Sequence, residues 1–128
     1  MLVSWVQQVS FEPLAVSIAV AKDRPIFELI RRSGRLGLSI VPEADKSLMK
    51  RYARGVKPGD DPFHDTCTIR TPAGVPVFAE ALAWIECQSI TESEFGGDHI
   101  LLIARVTAAE LLGDGAPFTH VRGSGLHY

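Results

Sequence analysis

The sequence predicts a mainly β chain: an antiparallel barrel with two short helices capping or plugging its ends. Three observations carry this. Six runs are rich in Val and Ile with partial or full period-two alternation. Only two short stretches place apolar residues at helical spacing. The closing pair of strands is long and joined by a Gly-Gly-Asp turn. A small α+β sandwich is the alternative architecture.

The first two strands are expected over residues 2–9 and 14–21, with Ser10-Phe11-Glu12-Pro13 as the turn between them. Pro13 fixes φ and lacks an N–H, which suits a strand entrance. Asp23 is the expected N-cap of a helix with Pro25 in its first turn. Ile26, Leu29 and Ile30 then form one apolar face, and Gly34 ends the helix. Leu36 to Val41 alternates as a strand, and Pro42 stops it. A second helix runs from Glu43-Ala44-Asp45 through Leu48 and Met49 to a basic end at Lys50, Arg51 and Arg54, closed by Gly55.

Residues 55–65 hold Gly, Pro and Asp in a pattern that reads as a surface loop. A short strand is expected at Thr66–Arg70, followed by a Thr71-Pro72-Ala73-Gly74 turn. Val75 to Phe78 then leads into a long strand over 79–90. Gly96-Gly97-Asp98 turns the chain into a last strand over 99–112, with Arg105 and Glu110 facing out. The tail from Gly113 has no period, and its His120, Arg122, His127 and Tyr128 read as a lid, a subunit contact or a frayed end.

With 128 residues, 46% of them hydrophobic and 22% charged, the chain is expected to form one domain with its own core. A net charge of −2 argues against nucleic acid as a partner. Cys67 and Cys87 do not form a disulfide framework, and no apolar run is long enough to span a bilayer as a helix, so a cytoplasmic location is expected. The chain begins directly inside an apolar strand pattern at Met1-Leu2-Val3, which leads us to expect that it lacks a first strand.

The chemistry-bearing stretch is Trp5-Val6-Gln7-Gln8-Val9-Ser10 together with Lys22-Asp23-Arg24. Trp5 can stack on a flat ring, and Gln7 and Gln8 can read both kinds of hydrogen-bonding edge. Ser10 at the corner and the basic pair Lys22 and Arg24 before a helix suit an anion. Each residue also has an ordinary reading: Trp5 as core, Lys22 and Arg24 as solvated turn charges. His99, directly after the Gly97-Asp98 turn, is a candidate general acid or substrate contact, and equally a turn residue bonded to its own backbone. His64 and Cys67 are three apart but in a loop, and no Cys-x-x-Cys or His-x-x-x-His pattern points to a metal. No nucleophile elbow, Walker or dinucleotide glycine pattern occurs.

Trp5-Val6-Gln7-Gln8-Val9-Ser10-Phe11-Glu12-Pro13, followed by an apolar strand, Lys22-Asp23-Arg24 and a helix, resembles the flavin reductase-like family of FMN-binding split β-barrels. Gly37-Leu38-Ser39-Ile40-Val41, Ala83-Trp84-Ile85-Glu86-Cys87, Gly97-Asp98-His99 and the ending Ala116 to Arg122 with Gly125-Leu126-His127-Tyr128 continue the likeness in order. It is similar to the flavin reductase modules fused to flavodiiron proteins in cyanobacteria, and the likeness takes 1–128 as one flavin reductase-like domain. The resemblance implies a split antiparallel barrel, FMN (sometimes FAD) near a homodimer interface, NAD(P)H as reductant and an electron-accepting protein as a further partner. It places Trp5, Val6, Gln7 and Gln8 along the isoalloxazine, Ser10, Lys22 and Arg24 near the phosphate, His99 near the flavin or nicotinamide ring, and Tyr128 over the pocket. The chain departs from many relatives in having one corner proline, Pro13, followed by Leu14, and Pro25 where relatives carry Thr or Ser. The implied activity is hydride transfer from nicotinamide to flavin; the alternatives are an FMN-binding electron carrier without turnover and a scaffold that no longer binds FMN.

Overall fold

The computed structural model describes residues 1–53, 55–56 and 59–119. The expected Arg54 at the end of the second helix, the tail His120, Arg122 and His127, and Tyr128 lie outside the described residues.

Among the described residues, seven strands and two helices follow one another as β1 (Val6–Phe11), β2 (Leu14–Ala21), α1 (Pro25–Ser33), β3 (Arg35–Ile40), α2 (Ser47–Tyr52), β4 (Thr68–Arg70), β5 (Pro76–Phe78), β6 (Ala83–Ser93) and β7 (His99–Leu111). Five of them make an antiparallel sheet in the order β1-β2-β7-β6-β3, while β4 and β5 pair separately. The sheet does not close on itself, as a split barrel requires: β1 and β3 are its two edges.

The periodicity of β2 explains how the sheet is used. Val16, Ile18 and Val20 point to one face and are buried, against Ala104, Leu102 and Ile100 of β7. Ala15, Ser17, Ala19 and Ala21 point to the other. The large side chains meet Phe27 and Ile30 of α1, Leu36 of β3 and Cys87 of β6 in the main core. Burying each of these large side chains contributes about 1.5–3 kcal/mol before entropy is charged.

Several boundaries differ from the sequence expectation. The first strand starts at Val6 rather than Leu2, and it runs through Ser10 and Phe11, leaving Glu12-Pro13 as the turn. Pairing still reaches back to Trp5, whose carbonyl accepts the Ala19 N–H at 3.1 Å. Arg24 rather than Asp23 occupies the N-cap of α1, without a side-chain cap. The buried face of α1 is Ile26, Phe27 and Ile30, and Leu29 is 60% exposed. At about 100° per residue, Leu29 stands roughly 110° away from the centre of that face. Gly34 closes the helix in the left-handed conformation, with φ 64°, as expected.

The second helix is shorter than its acidic start suggests. Asp45 lies before it and accepts the Ser47 N–H at 2.8 Å, which holds its carboxyl below the usual range. The long strand expected over 79–90 starts only at Ala83 and runs on to Ser93: residues 79–82 turn instead, with the Ala81 N–H reaching back to the Phe78 carbonyl, and Ala81 and Leu82 are both buried. Glu86 and Cys87 are both buried although they alternate: Cys87 enters the main core, and Glu86 meets the turn between β4 and β5, while the register shift beside them leaves Thr107 as the extra residue on β7. Gly37 of β3 lets the β4–β5 unit pack closely: a Cβ there would stand 2.9 Å from Val75 Cγ1 and 3.0 Å from Val77 Cγ1.

Candidate functional site

The small-residue face of β2 leaves space beside Trp5. A cleft of about 270 Å³ opens there, floored by Ala19 and Ala21 and walled by residues 1–5, Tyr52, Ala53 and Gly55, with Arg24 and His99 at its margins. Trp5 is 55% exposed, so its ring is a free surface rather than core. Its centroid lies 5.1 Å from that of His99, with the planes tilted by 53°.

Each polar group is positioned by a local feature. His99 opens β7 opposite Ala21, and its Nδ1 lies 2.9 Å from Asp98 Oδ1. The His99 hydrogen bond and charge hold the Asp98 carboxyl below its usual range. With Asp98 ionised, Nδ1 carries the proton of that bond, which leaves Nε2 for a ligand. Arg24 follows the end of β2, and among the described residues its guanidinium pairs only with Asp23, at 3.6 Å. A Cβ on Gly55, which has φ 73°, would reach to 3.8 Å of Arg24 Nη1, so the turn after α2 sits against that guanidinium.

Of the residues singled out from sequence, Trp5, Arg24 and His99 converge on this cleft. Lys22 stands close by in the chain, but its ammonium pairs with Glu94, while its N–H binds the Asp98 carbonyl at 3.1 Å. That pairing lowers the Glu94 carboxyl. Val6, Gln7, Gln8 and Ser10 run away from the cleft along the edge strand and do not line it. The Gln7 amide donates to the Gln8 carbonyl at 3.3 Å and the Gln8 amide to the Ser10 carbonyl at 3.4 Å. In one chain, then, the amide shelf and the Trp5 cleft are separate places.

Sequence reasoning missed Ser4, Ala19, Ala21, Tyr52 and Gly55 as lining residues. The alternation Ala15, Ser17, Ala19, Ala21 was a readable signal: one face of a strand made only of small residues leaves room above it. Tyr52 gave no such signal, since it is buried through its ring contact with Phe78 and donates its hydroxyl to the Pro62 carbonyl.

The cleft fits a flat ring with an anionic arm. Trp5 offers a stacking face, the alanine floor leaves the thickness of a ring, and Arg24 supplies a cation. Its volume is near the lower end for small-molecule sites, enough for the ring portion of a cofactor. Among the described residues no group of His, Cys, Asp and Glu is arranged to hold a metal ion. Nor is any helix long and apolar enough to cross a membrane among them.

Comparison with known proteins agrees with this geometry. The chain is 39% identical over 129 residues to diflavin flavoprotein A 3 of Synechocystis sp., covering 100% of this chain and 21% of that protein. It is 35% identical over 130 residues to diflavin flavoprotein A 1 of the same organism, covering 22% of it. The chain thus spans about a fifth of the length of these relatives. Among solved structures, the NADH:FAD oxidoreductase SgcE6 of Streptomyces globisporus superposes with a TM-score of 0.75 at 26% identity, covering 83% of this chain and 63% of that one. The flavin reductase of the styrene monooxygenase of Pseudomonas putida S12 superposes with a TM-score of 0.73 at 28% identity, covering 90% and 70%. The flavin reductase like domain matches residues 1–125, and the chain belongs to that family.

Proposed function

We propose that this chain is an NAD(P)H-dependent flavin reductase that uses FMN, works as a homodimer in the cytoplasm and passes its electrons to an acceptor protein. The observation that carries the reading is the convergence of Trp5, Arg24 and His99 on one cleft, in a family whose solved neighbours include an NADH:FAD oxidoreductase and a monooxygenase flavin reductase. The acceptor is supported by the relatives named diflavin flavoproteins, in which a stretch of this length is about a fifth of the protein.

A flavin held against Trp5 with Arg24 at its phosphate would supply the hydride-accepting chemistry, with a nicotinamide as donor. The chain's residues position and protect. Trp5 gives the flat ring a wall, and Arg24 draws the phosphate to one end of the cleft. His99, oriented through Nδ1 by Asp98, presents Nε2 as a hydrogen-bonding group that gives or takes a proton. Gln7, Gln8, Val6 and Ser10 lie on the exposed edge strand, which a second protomer would reach; we assign their flavin contacts to the dimer, and Tyr128 to closing its pocket.

Adding the purified chain to FMN tests the binding half of this reading. Saturable quenching of flavin fluorescence is expected, lost when Trp5 and Arg24 are replaced together. FMN whose fluorescence is unchanged by excess protein would overturn it.

A further inference from the structure

A second cleft, of about 370 Å³, shares Trp5, Ala19 and His99 with the first and continues over Phe95, Asp98 and Leu101. Its charge is sorted the other way. Asp98 is its one carboxylate, Arg24 is absent from it, and the Lys22 ammonium is engaged by Glu94. Such a cleft repels phosphate and takes a flat, uncharged ring.

Phe95 is the unexplained residue here. It is 74% exposed at the tip of the β6–β7 turn, where a polar residue would be cheaper. Its loop is held on both sides. Glu94 pairs with Lys22, and the Asp98 carbonyl accepts the Lys22 N–H. The ring folds onto Gly97, where a Cβ would come within 3.0 Å of Phe95 Cε2. Gly97 therefore serves as the seat of the Phe95 ring, and no positive φ is needed to account for it.

We infer that Phe95 is a substrate-binding residue: with Trp5 and His99 it holds the uncharged nicotinamide ring in the second cleft, and Gly97 keeps it there. This rests on the flavin reductase reading above, and it adds a division of labour in which the phosphate-bearing flavin uses the Arg24 cleft and the dihydronicotinamide ring the Phe95 cleft. An aromatic wall is worth a factor of about three to ten in affinity.

The test is NADH titration of the whole chain, with and without FMN, read by quenching of tryptophan fluorescence, alongside the Kd for FMN and the split of KM and kcat. Phe95→Ala and Gly97→Ala are expected to raise the NADH Kd and KM by about three- to tenfold, while the FMN Kd stays within about twofold. Phe95→Tyr, which keeps the ring, is expected to restore NADH binding. An NADH Kd unchanged in Phe95→Ala overturns the inference, as does a wild-type chain that binds FMN but no NADH. Failure of FMN to bind the wild-type chain overturns the flavin reading instead, and the flavin-free NADH titration of Phe95→Ala still decides the role of Phe95.

Discussion

The Trp5 indole and the His99 imidazole stand 5.1 Å apart, centroid to centroid, across the gap between the start of the chain and the first residue of β7. Two backbone bonds fix that relationship: Ala19 N–H to the Trp5 carbonyl, and Lys22 N–H to the Asp98 carbonyl. Both clefts use this pair as a common wall.

Replacing Trp5 therefore acts on ligand binding more than on folding. Trp5→Ala is expected to weaken FMN binding by about 0.5–1.5 kcal/mol, up to roughly tenfold in Kd. Because the ring is half exposed, the thermal midpoint should move little. Flavin fluorescence titration and a melting curve on the same sample check both halves.

Arg24 and Lys22 are neighbours in sequence but differ in what they are free to do. Arg24→Ala is expected to raise the Kd for FMN about tenfold, as loss of a charge-assisted phosphate contact implies, while leaving riboflavin binding unchanged. Lys22→Ala should shift FMN and riboflavin alike and only slightly, since its ammonium is bound to Glu94. Parallel titrations with the two flavins distinguish a phosphate contact from a general effect.

Glu86 is the sharpest electrostatic feature of the core. It is 2% exposed, accepts the Ala73 N–H at 2.8 Å, the Thr107 hydroxyl at 2.7 Å and the Gln88 amide at 3.1 Å, and so ties the turn between β4 and β5 to the main sheet. The Thr71 hydroxyl is the strongest of the donors that, against the cost of burial, hold its pKa down at about 2. A depressed carboxyl stabilises the fold above its unfolded value and loses that contribution as pH falls toward the folded one. Stability should thus decline between about pH 4.5 and pH 2, and Glu86→Gln should flatten that decline. Glu86→Ala leaves buried donors unpaired and is expected to cost at least about 3 kcal/mol at neutral pH, at about 1–3 kcal/mol for each orphaned donor. Urea unfolding of the three proteins across that pH range is the check.

Gly37 tests the packing of the small β4–β5 unit. Gly37→Ala forces Val75 and Val77 away from β3 and is expected to cost about 1–3 kcal/mol, without changing flavin affinity. Denaturant melts and an FMN titration separate the two effects.

Much of this fold was legible in the residues. The two-residue period of β2, the single alternation of β3, the long β7 and the Gly34 cap all appear where the pattern places them, since each depends on local chemistry. What escaped depends on partners distant in the chain. The break before Ala83 follows from the Leu82 N–H reaching the Ile40 carbonyl at 2.8 Å. Glu86 is buried because the turn between β4 and β5 covers its face of the sheet, and burial beside Glu86 pushes the Cys87 thiol up to about 11. Of the candidate site, Trp5, Arg24 and His99 were readable as residue types that suit a ring and an anion. Tyr52, Ala53 and Gly55 reach the first cleft only because the chain after α2 comes back to the start of the chain, and Phe95 lines the second cleft, seated on Gly97.

The central claim is that electrons move from a nicotinamide to a flavin held against Trp5 and His99. Anaerobic addition of NADH, and separately of NADPH, to the FMN-loaded chain tests it most directly, read as bleaching of the flavin absorbance. The account predicts bleaching with one of the two nucleotides, with one nicotinamide oxidised per flavin, slowed when His99 is replaced by Ala. A flavin that binds saturably, as its quenching shows, yet keeps its oxidised spectrum with both nucleotides would contradict it.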